Sequence, residues 1–116
     1  MIEDKAKDLG RTIGQSPEYK EVRRASDSLN EDLETVALLQ QMEQLRLEAQ
    51  RMLQRGERPT EEMERKLDTL LSQIQSKTSY QRLLVAQENF VKVMSKVNDW
   101  ILDGIDKGAT SSIITL

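Results

Sequence analysis

The chain has 116 residues, with 17 basic and 20 acidic side chains and a net charge of −3; this fits one domain and offers no concentrated basic surface for nucleic-acid phosphate. It contains neither cysteine nor histidine, which excludes disulfides, thiolate or imidazole metal ligation, and every mechanism that needs those groups. Only four residues are aromatic, Tyr19, Tyr80, Phe90 and Trp100, so a core drawn from Leu, Met, Ala and Val predicts helices in place of the strands of a sandwich or barrel. The opening residues, Met1-Ile-Glu-Asp-Lys-Ala-Lys-Asp, lack the apolar run of a signal peptide, and no window approaches the roughly 18 uncharged apolar residues of a membrane span. The expected compartment is the cytoplasm.

In chain order, Ile2, Ala6, Leu9 and Ile13 fall at spacings of four, three and four, the apolar stripe of a short helix that Gly14 is placed to end. Ser16-Pro17-Glu18-Tyr19 starts a second helix. The serine hydroxyl can accept from first-turn amides, proline gives up a donor that would be orphaned anyway, and the glutamate suits the positive end. That helix carries Tyr19, Val22, Ala25 and Leu29 and runs to about Asn30. Asp32 can cap a third helix that continues unbroken to Arg55, with Leu38, Met42, Leu45, Ala49 and Met52 in coiled-coil-like spacing. Arg55-Gly56-Glu57-Arg58-Pro59 breaks the run and Thr60 can cap a fourth helix, in which Met63, Leu67, Leu70 and Ile74 repeat the seam. A short loop between matched seams predicts an antiparallel helical hairpin.

The last helix is expected from Thr78 to about Asp106. A strand competes for part of it, because Val91, Val93 and Val97 alternate with Lys92, Met94 and Lys96 and β-branched residues favour strands. No Gly or Pro lies between Pro59 and Gly104 to supply the turns a strand would need. Phe90, Met94, Val97 and Ile101 also hold helical spacing over a longer window, so helix is the reading. The expected organisation is one helical domain over residues 1–107 followed by a flexible tail over 108–116.

Projected at about 100° per residue, the apolar arc of the last helix runs from Trp100 and Val93 through Ala86, Val97, Phe90, Ile101, Leu83 and Met94. It continues to Ile105, Val91, Leu84 and Leu102. The arc spans about 200°, where a surface helix needs little more than 100°. Glu88, Lys92, Lys96, Asp99, Asp103 and Asp106 occupy the opposite side. One covering surface is too narrow for such an arc. On the third helix, Val36, Leu39 and Leu47 likewise stand away from the hairpin seam. Either the N-terminal helices fold back over these faces, or a second subunit completes the core; the N-terminal pair is short, which favours the second. The expected architecture is therefore an all-α helical bundle, built around the long hairpin and the long C-terminal helix and completed by dimerisation. Its candidate oligomer or partner interface is Val36, Leu39, Leu47, Leu84, Phe90, Val93, Val97, Trp100 and Ile101.

Catalytic patterns are missing. Serines have no histidine partner, and there is neither a G-x-x-x-x-G-K-[ST] loop nor a G-x-G-x-x-G fingerprint. No enzyme activity, cofactor or metal is expected. Asp99, Asp103 and Asp106 share a helix face and read either as a docking stripe for a basic partner or weak divalent-ion site, or as a solvated face balanced by Lys92, Lys96 and Lys107. Arg46, Arg51, Arg55, Arg58, Arg65 and Lys66 gather near the hairpin tip, giving an alternative reading as an RNA-associated helical protein. Glu48, Glu57, Glu61, Glu62 and Glu64 blunt that field, so direct nucleic-acid binding is not favoured.

The Ser-Pro-Glu-Tyr opening at 16–19, the acidic break Asn30-Glu31-Asp32, the long helix over Leu38–Gln54, the Arg-Gly-Glu-Arg-Pro loop at 55–59 and the stretch Gln87–Trp100 together resemble the bacterial YlbF/YmcA family. The resemblance covers residues 5 to 106 and rests on helix pattern and boundaries. It implies a small, all-helical, oligomeric protein acting as a non-enzymatic regulatory adaptor. The implied roles are control of competence, sporulation, biofilm formation or RNA processing, with a PSP1-domain protein or an endoribonuclease complex as partner. Members of that complex carry iron–sulfur clusters on cysteines; this chain has none, so cluster binding does not carry over.

Overall fold

The computed structural model describes the backbone of residues 1–115 and the side chains of residues 1–109. Five helices follow in order, α1 (Ile2–Gly14), α2 (Pro17–Glu31), α3 (Leu33–Gln54), α4 (Glu61–Gln75) and α5 (Thr78–Thr115), with no strand among the described residues. The fold is all-α. The valine alternation near residue 93 lies within α5, because the helical period outlasts it and nothing nearby can turn a strand.

The helix boundaries come from local chemistry. Ser16 Oγ accepts from the Tyr19 amide at 3.2 Å and donates to the Ile13 carbonyl at 2.6 Å, closing α1 and opening α2 with one hydroxyl. Thr60 Oγ1 accepts from the Met63 amide at 3.2 Å at the start of α4. Past the end of α3, Gly56 takes the left-handed conformation, φ 78°. The Glu57 amide then reaches the Met52 carbonyl at 2.8 Å and the Gly56 amide reaches Leu53 at 3.1 Å, the paired bonds that satisfy a helix's last carbonyls. Gly104 and Gly108 behave differently. Neither has a positive φ, and a glycine costs a helix only about 1 kcal/mol relative to alanine, so α5 passes the expected end near Asp106 and continues to Thr115. The tail expected over 108–116 falls mostly outside the residues whose side chains are described.

The chain divides into two compact units. One comprises residues 23–85 and contains the hairpin, in which α3 packs against α4. Leu38, Met42, Leu45, Ala49 and Met52 on one arm, and Met63, Leu67 and Leu70 on the other, are all half-buried, while Ile74 is fully buried. The seam read from the sequence is therefore the packed face. Ala25, Leu29 and Thr35 are also buried in this unit.

The same unit holds a polar clasp. Asp32 caps α3, its Oδ1 accepting from the Thr35 amide at 3.4 Å, while its Oδ2 accepts from the Thr35 hydroxyl at 2.6 Å and from Ser79 Oγ at 2.9 Å. Glu34 and Lys77 form an ion pair alongside, 2.6 Å between charged atoms. Thr35 has no exposed surface, and its hydroxyl is satisfied within the clasp, so burying it leaves no orphaned donor.

The other unit comprises residues 1–22 and the part of α5 from Ala86 onward. Ala86 and Val97 are buried and Phe90 and Val93 half-buried, a stripe at spacings of four, three and four. The Tyr19 and Phe90 rings meet at 5.4 Å between centroids, tilted by 54°, within the range in which aromatic pairs attract. On α1, of the expected stripe, only Ile13 is half-buried; Ile2, Ala6 and Leu9 are exposed.

Candidate interaction surface

The covered stripe of α5 is narrow. The wider arc predicted for it leaves a second row in solvent: Val91 is 65% exposed, Leu102 52% and Ile105 59%, and Met94 and Ile101 are exposed as well. Val91, Met94, Asn98, Ile101 and Ile105 follow one another at spacings of three, four, three and four, which is the seam of a coiled coil. Leu84, exposed too, stands one heptad before Val91. Trp100 continues the covered stripe in register, yet is 67% exposed.

A contiguous apolar row of this kind, unlike singly scattered apolar residues, marks an interaction site.

The nine interface candidates separate accordingly. Val97 is buried, and Phe90, Val93, Val36 and Leu39 are half-buried; Leu47, Leu84, Trp100 and Ile101 are exposed. Phe90, Val93 and Val97 share the covered stripe of α5, whereas Ile101 belongs to the open row. The residues that best continue Ile101, namely Val91, Met94, Leu102 and Ile105, lie in the predicted apolar arc but outside the candidate set. Heptad spacing distinguishes Val91, Met94 and Ile105, and Leu102 flanks them. Thr35 and Ser79 carry the clasp without having been singled out. Thr35 sits at the position an N-cap commonly engages, but Ser79 is 47 residues from Asp32 and no local pattern marks it.

Charged groups are placed less purposefully. Asp99, Asp103 and Asp106 are exposed, with Asp103 paired to Lys107 at 2.9 Å, and no group of three or more potential metal ligands occurs among the described residues. At the hairpin, Arg46 binds Glu43 at 2.7 Å, and that partner raises its pKa above the ordinary guanidinium value. Lys66 lies 3.6 Å from Glu62. A groove of ≈ 580 Å³ between α3 and α4 is floored by Leu45 and Leu70, with Glu48, Glu62, Arg65 and Lys66 at its rim. The alternating signs give neither an anion cradle nor a cation site. The Asp32 carboxyl is held below its ordinary value, first by the Thr35 hydroxyl and then by that of Ser79, with the charge of Lys77 adding to them. This is a shift made by a structural clasp. No described helix is long and apolar enough to cross a membrane.

A family model described as control of competence regulator ComK, YlbF/YmcA, matches residues 2–106. A UPF0342 protein of Leuconostoc mesenteroides subsp. mesenteroides is 20% identical over 98 residues, covering 84% of each chain.

Proposed function

The chain belongs to the YlbF/YmcA family, and from that premise we propose that it is a non-enzymatic regulatory adaptor of the cytoplasm, acting by self-association and by docking other proteins. The observation that supports this reading is the open apolar row on α5, from Val91 to Ile105. Burying one Leu or Val is worth about 1.5–3 kcal/mol. Leaving five such side chains in water sacrifices much of the stability a small domain can have, and a partner surface restores it. Obligate helical interfaces have this character, apolar and continuous like a core divided in two.

Within the family's regulatory setting, partners of the implied kinds, a PSP1-domain protein or an endoribonuclease complex, are the first to seek by co-purification. The reading as an RNA-binding protein has less support, since Arg46 and Lys66 already spend their charge on Glu43 and Glu62.

Sedimentation across a concentration series tests the self-association. The expected result is a reversible dimer or larger species at low micromolar concentration, dissociated by Ile101→Asp with helix content retained, because residue 101 is exposed in the single chain. A cooperative, folded monomer at every concentration overturns it.

A further inference from the structure

The apolar stripe of α1 has nothing beneath most of it: Ile2 is 88% exposed and Leu9 38%, and only Ile13 is half-buried. The helix is also weak by itself. It has 13 residues, no side-chain cap at its start and a glycine, Gly10, inside it, and isolated helices of that length are marginal in water. Covering the stripe is what would stabilise it. We infer that α1 is a strap that closes within its own chain on the C-terminal half of the open α5 row, over Ile101 and Ile105, and so competes with any partner for that surface. The inference rests on the self-association proposed above and adds its regulation.

The tether selects this occupant. Only Gln15 and Ser16 separate α1 from α2, and the nearby Tyr19 ring packs on Phe90, the residue before Val91, where the open row begins. The C-terminal end of α1 is thereby held at the near end of the row. From there α1 can follow the row only antiparallel, because its chain runs toward Phe90 while α5 runs away from it; opposed helix dipoles suit that direction. Leu9 is ten residues before Tyr19 and Ile101 eleven after Phe90, each roughly 15–17 Å along a helix. Ile105, at roughly 22 Å, falls level with the stretch between Ala6 and Ile2.

Charge does not oppose the closure. Lys7 pairs with Glu3 at 2.7 Å and Arg11 with Asp8 at 2.8 Å, all turned away from the stripe at 100° per residue. No charged residue stands among Val91, Met94, Asn98, Ile101 and Ile105. Closing α1 therefore buries apolar surface on both helices without taking water from an ion.

The hinge is Gln15 and Ser16. The Ser16 hydroxyl bonds the Ile13 carbonyl and the Tyr19 amide, so one side chain joins the last turn of α1 to the first of α2, and a change in a few backbone angles there swings the strap. A segment on so short a tether acts at an effective concentration of the order of millimolar. A second copy competes at micromolar concentration, so even a weak strap holds association back.

The chain has no cysteine, so introduced thiols report without background. Leu9→Cys combined with Ile101→Cys in one chain, mildly oxidised at sub-micromolar concentration, gives an intramolecular disulfide whose yield is unchanged by dilution. Leu9→Cys combined with Lys96→Cys, on the far side of α5, links several-fold less, because a disulfide spans only ~7 Å between Cα atoms. Leu9→Asp, at a residue exposed in the structure, releases the strap and tightens self-association several-fold in sedimentation. Links formed mainly between chains, or weaker association of Leu9→Asp, overturn closure within the chain and make α1 part of the contact between copies. No excess of the Leu9–Ile101 link over the control overturns the strap and leaves self-association standing. A parent protein that is monomeric at every concentration overturns the self-association, and the intramolecular link then decides the closure alone.

Discussion

The hairpin unit and the C-terminal helix beyond Ala86 are built from the same ingredients, Leu, Val, Ile and Met at three- and four-residue spacing, and they end in different states. In the hairpin each apolar seam has one facing seam. α3 and α4 cover one another, Ile74 is fully enclosed, and the clasp of Asp32, Thr35 and Ser79 ties in residues far apart in sequence. In α5 one row, Ala86 to Val97, is covered and a second, Val91 to Ile105, is not. The difference is girth. An arc of about 100° can be buried by one neighbour, and one of about 200° needs two. Apolar content alone therefore does not tell a core helix from an interface helix; the width of its apolar arc does.

Substitutions sharpen that contrast. Val97→Asp places a charge in the covered row and should cost several kcal/mol, enough to abolish the cooperative unfolding transition in urea, whereas Ile101→Asp in the open row should leave that transition visible. Loss of the transition in both would erase the distinction between the rows. Ile74→Ala should cost about 2–5 kcal/mol, since it empties a fully buried site. The loss should appear in equilibrium unfolding, with no change in the concentration dependence of association once the protein is folded.

The clasp predicts a pH dependence. The folded-state pKa of Asp32 lies below its ordinary value of 3.8, so its contribution is complete at neutral pH and is lost as pH falls from that value through the lower folded one. Asp32→Asn should be less stable at neutral pH and should show a flatter acid limb in thermal melts; an unchanged acid limb would mean that the clasp does not stabilise the hairpin unit. Thr60→Ala removes the cap of α4 and should cost about 0.5–2 kcal/mol, seen as a lower urea midpoint. Glu88→Gln lies on the polar side of α5, and a change within about 0.5 kcal/mol is expected, with association unaltered.

Much of the fold was legible because it is local. Ser16, Pro17, Asp32 and Thr60 mark helix starts through bonds made within three residues, and Gly56 marks a helix end through its own φ. The hairpin followed from two seams and the loop at 55–59. α5 runs past the expected end near Asp106, because a helix held by many successive bonds tolerates glycines such as Gly104 and Gly108 that are not forced out of helical φ. The candidate interface was only partly legible, since a helical wheel orders residues around an axis without saying which side meets a neighbour. Phe90 and Ile101 look alike on the wheel; Tyr19 sits against one, and the other is open to solvent.

The sequence by itself determined five helices, their caps, the pairing of α3 with α4 and the excess apolar width of α5. Each depends on spacing or on contacts a few residues long. Only the tertiary structure decided which half of that width is covered, and that Ser79 closes on Asp32 across 47 residues. Those outcomes depend on which surfaces lie close in space after folding, information that no single helix carries in its own periodicity.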